Sequence, residues 1–208
     1  MGTATKILIG LVALLVIGAL LVVSSYNGLV SLQQATDAQW AQVQNVYQRR
    51  ADLVPNLVST VAGAANFEKS TLEAVTNARA SVGRAQLPAN SAPTDPAQLA
   101  AFQQAQNELG SALSRLLVVS ERYPDLKATA NFRDLQSQLE GTENRIAVER
   151  GRFNEAVQAY DTAIRRFPAV ILAGILHFTD RPYFTAAAGS ETPPKVQFDF
   201  SNPAPAKP

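Results

Sequence analysis

Arg49-Arg50-Ala51-Asp52-Leu53-Val54-Pro55-Asn56-Leu57-Val58 is the stretch on which the fold turns. Apolar or large residues surround it at Trp40, Val43, Tyr47, Val54, Leu57 and Val61. That three-four spacing is the seam of a helix packed lengthwise on others, and it predicts one long helix over residues 26–67. Arg50 occupies a seam position, where a cation needs its charge satisfied. Pro55 lacks a backbone donor and is expected to kink the helix.

Upstream, Ile7 to Val23 is an unbroken apolar run, ILIGLVALLVIGALLVV. It reaches the lower limit for a bilayer-spanning helix, roughly 17–25 residues. It is longer than the apolar core of a cleaved signal, roughly 7–15 residues. Residues 1–25 therefore read as a retained membrane anchor, and no cysteine follows it for lipoprotein processing. Lys6 precedes the run, and the next basic residues are Arg49 and Arg50. By the positive-inside rule the N-terminus is cytoplasmic and the domain lies outside the cytoplasm.

Downstream, Gly63 and Asn66 suit a helix end, and Asn66 can cap a second helix over 67–85 with Leu72, Val75 and Val82 inward. Residues 86–96 hold Pro88, Pro93 and Pro96 and read as an exposed loop. Asp95-Pro96 opens a third helix with the seam Leu99, Phe102, Gln106, Leu109, Leu113, Leu116 and Tyr123. Tyr123-Pro124-Asp125-Leu126-Lys127 reads as a break and turn. A fourth helix over 129–167 carries Phe132, Leu135, Leu139, Thr142, Ile146, Phe153, Ala156, Tyr160 and Phe167.

The expected fold is all-α: one transmembrane helix followed by an antiparallel four-helix bundle with two long helices, the bundle domain covering residues 26–168. Residues 169–185 form an apolar membrane-proximal segment, too short to span, that either caps the bundle base or lies in the lipid interface. Tyr183 and Phe184 suit a headgroup boundary. Residues 186–208 read as an extended, partly disordered tail, with one short edge strand over 195–201.

Composition narrows function mainly by exclusion. The 208 residues carry 18 basic and 17 acidic side chains for a net charge of +1, spread without a stripe, so no nucleic-acid partner is expected. The chain has no cysteine and one histidine, His177. A Ser-His-Asp triad or a histidine metal site would have to use it. No Glu-x-x-His pair and no glycine-rich phosphate loop occurs, so no metal or cofactor is expected.

Several motifs, in order, resemble the LemA family. They are Tyr26-Asn27 after the anchor, Trp40, the Arg49–Val58 stretch, Glu121-Arg122-Tyr123-Pro124-Asp125-Leu126-Lys127 with Asn131-Phe132, and Gly141-Thr142-Glu143-Asn144-Arg145-Ile146-Ala147 with Arg150, Phe153-Asn154 and Val157. Pro168, the apolar stretch after it and Tyr183-Phe184 complete the set, so the resemblance covers about residues 1–185. Two departures are Phe153, where the family commonly has tyrosine, and Asp161, where it commonly has asparagine. The resemblance implies a bacterial membrane protein with one N-terminal anchor and a helical-bundle domain, and no settled activity; the expected location is the bacterial inner membrane. Family descriptions often place the short N-terminus outside the cell, opposite to the charge reading kept here.

The polar cluster is the candidate site: Arg49, Arg50, Asp52 and Asn56 near Pro55, and Glu143, Asn144, Arg145, Glu149 and Arg150 on the fourth helix. If residues 64 and 129 mark one end of the bundle, Arg50 and Glu143 share a level and can pair to fix helix register. A polar groove for a peptide or small ligand is the second reading, and a catalytic carboxylate pair the third. Carboxylates and arginines are common in bundles, so the structural reading is preferred. The expected protein is therefore non-catalytic and works by interaction, with membrane lipid, envelope proteins or a second copy as partners. An enzyme or ligand-binding protein using the cluster is the alternative.

Overall fold

The computed structural model describes residues 2–64, 67–88 and 91–186. Every regular element among them is a helix. α1 (Thr3–Ala62) is one helix of 60 residues, about 90 Å at 1.5 Å per residue, so the apolar run and the Arg49–Val58 stretch share an axis. α2 is Lys69–Arg84, α3 Pro96–Ser120, α4 Pro124–Ala128, α5 Ala130–Arg165 and α6 Ala169–Ile175.

α1 continues through Pro55 as helix. The proline cannot donate to the Ala51 carbonyl four residues earlier. Arg79 Nε of α2 donates to that carbonyl instead, at 3.1 Å. The freed acceptor thus becomes a latch between helices.

α1 and α5 run antiparallel, because Gln39 meets Glu149 at 2.6 Å while Arg50, further along α1, meets Glu143, earlier on α5, at 3.1 Å. Arg122 beyond the end of α3 donates to Glu68 before the start of α2 at 2.6 Å, so that pair is antiparallel too. Asp95 caps α3 by accepting from Ala97 N at 2.8 Å, and Thr129 Oγ1 caps α5 from Phe132 N at 3.3 Å.

The core lies in three groups along α1. Val54, Leu57 and Val61 pack on Val75, Leu109, Leu113, Leu116, Phe132 and Leu139. Trp40, Val43 and Tyr47 pack on Phe102, Phe153 and Phe184. Leu29 packs on Tyr160, Ile164 and Ala173. Residues 4–24 of α1 are exposed along their whole length, with Leu14 at 70%.

The structure corrects several expectations. The 123–127 turn contains α4, since Pro124 starts a helix turn and Asp125 sits in it. The proline loop is not simply exposed: Ala92 and Pro93 are buried. Its backbone is satisfied from α1, with Trp40 Nε1 donating to Pro88 O at 3.1 Å and Asp37 Oδ1 accepting from Ala92 N at 2.7 Å. Phe167 lies past the end of α5 and is 81% exposed; Val157 and Ile164 are buried on that helix instead. Phe184 is a core residue rather than a headgroup aromatic, packed on Trp40 and Phe153. The Asn66 cap, the 195–201 strand and the tail from residue 187 onward lie outside the described residues.

After α6 the chain returns along α5 as a non-helical strap over residues 178–186. Asp161 Oδ1 accepts from Arg181 N at 3.1 Å, and Asn154 bonds both backbone groups of Phe184 at 2.9 and 3.0 Å. Arg150 and Gln103 both donate to Thr185 O, at 3.0 and 2.6 Å. These bonds replace the ladder that an isolated segment lacks.

Candidate functional site

Arg50 enters the space between α1, α3 and α5 because its seam position points inward at the level where α3 carries Gly110. A methyl group at Gly110 would stand 3.6 Å from Arg50 Nη1, an ordinary van der Waals contact, so α3 passes close to the guanidinium without crowding it. Arg50 is 3% exposed. Its Nη1 donates to both carboxylate oxygens of Glu143, at 3.1 and 3.3 Å. Its Nη2 donates to Gln106 O at 2.9 Å and to Gln106 Oε1. The guanidinium also lies 5.1 Å from the Tyr47 ring centroid. Burial raises the Tyr47 hydroxyl pKa above its ordinary value, opposed by the nearby Arg150 and Arg50 cations.

The other cluster residues do not converge on this pair. Arg49, Asp52, Asn56, Asn144 and Arg145 are exposed. Asp52 accepts from Gln48 on its own helix at 2.7 Å. Glu149 accepts from Gln39 and from Arg152, at 2.6 and 2.9 Å. Arg150 holds the strap, with its guanidinium 4.7 Å from the Phe184 ring centroid. The nine residues therefore fall into four groups: the buried Arg50–Glu143 contact, the Glu149 link from α5 to Gln39 of α1, the Arg150 strap clamp and a solvated surface.

Sequence reasoning named Gln106 as a seam residue but not as a partner of Arg50. Its signal was a polar side chain at a core spacing on α3. A second buried cation, Arg181, was missed as well. It is 7% exposed, donates to Ala92 O, stands 4.0 Å from Asp37 and lies 6.0 Å from the Tyr160 ring centroid. No spacing rule connects Arg181 to Asp37 or Ala92, because the strap brings them together.

Two clefts flank Arg50. One of about 540 Å³ between α1 and α2 is lined by Gln44, Gln48, Arg79, Gln86 and Gln106. Another of about 480 Å³ is lined by Gly110, Ser114, Glu140, Glu143 and Asn144. The Glu143 side chain is 43% exposed toward solvent while Arg50 is sealed. A general base needs a free acceptor aimed at a substrate proton. Both Glu143 oxygens accept from Arg50 Nη1, and with the side chain 43% exposed each keeps a further acceptor site. Among the described residues no group of three His, Asp or Glu side chains could hold a metal ion.

Taken together, the fold defines an N-terminally elongated helical protein, whose first helix is long and apolar enough to cross a membrane. The LemA family profile matches residues 39–198, and the chain belongs to the LemA family. It is similar to magnetosome proteins MamQ 2 and MamQ 1 of Paramagnetospirillum magneticum, each 29% identical over 206 residues, covering 87% of this chain and 75% of the relative. It is also similar to magnetosome protein MamQ of Magnetospirillum gryphiswaldense, 27% identical over 183 residues, covering 81% of this chain and 67% of the relative.

Proposed function

We propose that this chain is a membrane-anchored, antiparallel four-helix bundle of α1, α2, α3 and α5 that works by interaction in the bacterial cell envelope and not by catalysis. The observation that supports this most is the unbroken α1, which joins the apolar segment to the Arg50 seam without a hinge. Such a protein holds a rigid surface at a fixed height above the bilayer. The Arg50–Glu143–Gln106 contact sets the register of three of its helices. The domain lies outside the cytoplasm, with Lys6 on the cytoplasmic side. Its partners are envelope proteins or a second copy of itself. The magnetosome role in the relatives' names is not assigned to this chain.

Ligand binding is the second reading, favoured by the half-exposed Glu143 at the edge of its cleft. In-cell cross-linking, detergent extraction and affinity isolation test the first reading. The expected result is a discrete cross-linked species containing this chain and an envelope protein or a second copy. A chain recovered only as an uncross-linked monomer contradicts it. A cytoplasm-dependent reporter fused after Pro208 is expected to be silent, and activity there overturns the orientation.

A further inference from the structure

α6 has two apolar faces and only one of them is packed. Ala173 is buried and Ala169 is partly buried against Leu29, Tyr160 and Ile164. Val170, Ile171 and Ile175 point the other way and are 43%, 56% and 65% exposed. Phe167 just before the helix is 81% exposed, and Leu176 just after it is 46% exposed. Five large apolar side chains within ten residues therefore face solvent at the base of the domain. Grouped exposure of this kind marks an interaction surface.

The height of this patch is fixed by contacts to α1. The rings of Tyr26 and Phe178 lie 6.3 Å apart, and Leu29 packs with Ala173. Tyr26 stands three residues after Val23, the last residue of the apolar run, about 5 Å along the helix axis. The 17 residues Ile7–Val23 span about 25 Å, against roughly 30 Å for a bilayer's hydrocarbon core. A span shorter than the hydrocarbon core is met by local thinning of the bilayer or by flanking residues reaching the interface, which leaves Tyr26, and α6 with it, within about 5 Å of the hydrocarbon boundary. In-plane helices bury an apolar face at this depth, about 5–10 Å into the headgroup region.

We infer that the exposed face of α6, with Phe167 and Leu176, is a second membrane contact that lies in the lipid interface and seats the base of the domain on the bilayer. The occupant is lipid, because Phe178 and Ala173 tie the patch to α1 at Tyr26 and Leu29, roughly 5–9 Å along the axis from the end of the apolar run. Two attachment points then hold the domain upright, where one helix alone would leave it free to tilt. This rests on the reading that residues 7–23 cross a bilayer.

The absence of native cysteine allows single labelling sites. The full-length chain is reconstituted at one copy per nanodisc of phosphatidylcholine and phosphatidylglycerol, with bimane at Leu14→Cys, Ile171→Cys, Ile175→Cys or Val118→Cys. Ile171 and Ile175 point away from the packed face of α6, so labels there leave the core intact. Both are expected to be quenched by brominated lipid and protected from iodide, as at Leu14. Val118, 70% exposed on α3, is expected to show the reverse. Iodide quenching at Ile171 and Ile175 equal to that at Val118, with Leu14 still lipid-quenched, overturns the proposal and leaves the anchor standing. Leu14 open to iodide overturns the anchor itself. Protection at Ile171 and Ile175 without lipid quenching, seen only at two copies per disc, means that a second chain covers the face, and also overturns the proposal.

Discussion

Arg50 Nη1 lies 3.1 Å from Glu143 Oε1, yet the two partners differ sharply in exposure: 4% for the arginine side chain and 43% for the glutamate. The pair is a buried cation reaching a carboxylate at the domain surface. Removing either partner therefore has a different consequence.

Glu143→Ala leaves the guanidinium buried with only Gln106 as acceptor. Breaking a fully buried pair costs about 3–5 kcal/mol. Here the cost is expected below that range, because solvent reaches the vacated site from the adjoining cleft. Arg50→Met with Glu143→Leu removes both charges but leaves Gln106 Oε1 facing an apolar side chain, a loss of about 1–3 kcal/mol. Adding Gln106→Leu should recover most of it. Chemical denaturation of the single, double and triple variants checks this, and additive single effects would show that the residues are uncoupled.

The Pro55–Arg79 arrangement predicts a second coupling. Arg79→Ala should cost about 1 kcal/mol, since the Ala51 carbonyl then loses its donor. Pro55→Ala restores a helical N–H for that carbonyl. In that background Arg79→Ala should be close to neutral by thermal unfolding.

Asp161 carries a pH signature. Burial raises its carboxyl pKa above the ordinary value, opposed by the Arg181 backbone N–H that it accepts. A raised folded pKa favours the protonated form, so the group's contribution is most favourable in acid and is lost as pH climbs from the unfolded pKa through the folded one. Asp161→Asn keeps an oxygen acceptor for Arg181 N and removes the desolvated charge. It should raise Tm at pH 7, with the gain fading as pH falls into the range where Asp161 is protonated. An equal gain at both ends would assign the effect to something other than ionisation.

His177 sits just past α6 with φ 58°, a conformation that favours glycine. Phe178 N donates to Ala173 O at 3.0 Å across it, closing the helix end. The left-handed region costs a side-chain-bearing residue roughly 1–2 kcal/mol. His177→Gly is expected to stabilise the chain by up to about that amount, less glycine's greater entropy in the unfolded state. A lower Tm would mean that the imidazole makes a compensating contact.

The strap is expected to be held chiefly by Asn154 and Phe184. Asn154→Ala removes two bonds to Phe184, each worth about 1 kcal/mol. Phe184→Ala empties a site against Trp40 and Phe153 and should cost about 3–5 kcal/mol. Hydrogen exchange at residues 181–186 should accelerate in Asn154→Ala before exchange in α5 does.

The α1 seam was legible because Trp40, Val43, Tyr47, Val54, Leu57 and Val61 repeat at a period that only a helix satisfies. The level of Glu143 followed from counting along two helices from their common end. Gln106 was not legible as a third partner, because α3's register depends on how the 85–95 loop is tied to Trp40 and Asp37. Phe184 was misread, and Arg181 missed, for a related reason. Their burial comes from a strap without periodicity, whose path is set by scattered polar side chains at Asn154, Asp161 and Gln103. Phe167 falls outside the core because α5 ends at Arg165, before the counted seam did, while Val157 and Ile164 are buried on that helix.

Under the proposed function, the polar cluster stabilises a membrane-held interaction domain and performs no chemistry. Cross-linked complexes isolated from cells making the wild-type chain are compared with those from cells making the Arg50→Met, Gln106→Leu, Glu143→Leu chain. The expected result is the same cross-linked species, at similar yield, from a variant that unfolds with a cooperative helical transition. A variant that folds and inserts normally but loses those species would contradict it and make the cluster a site.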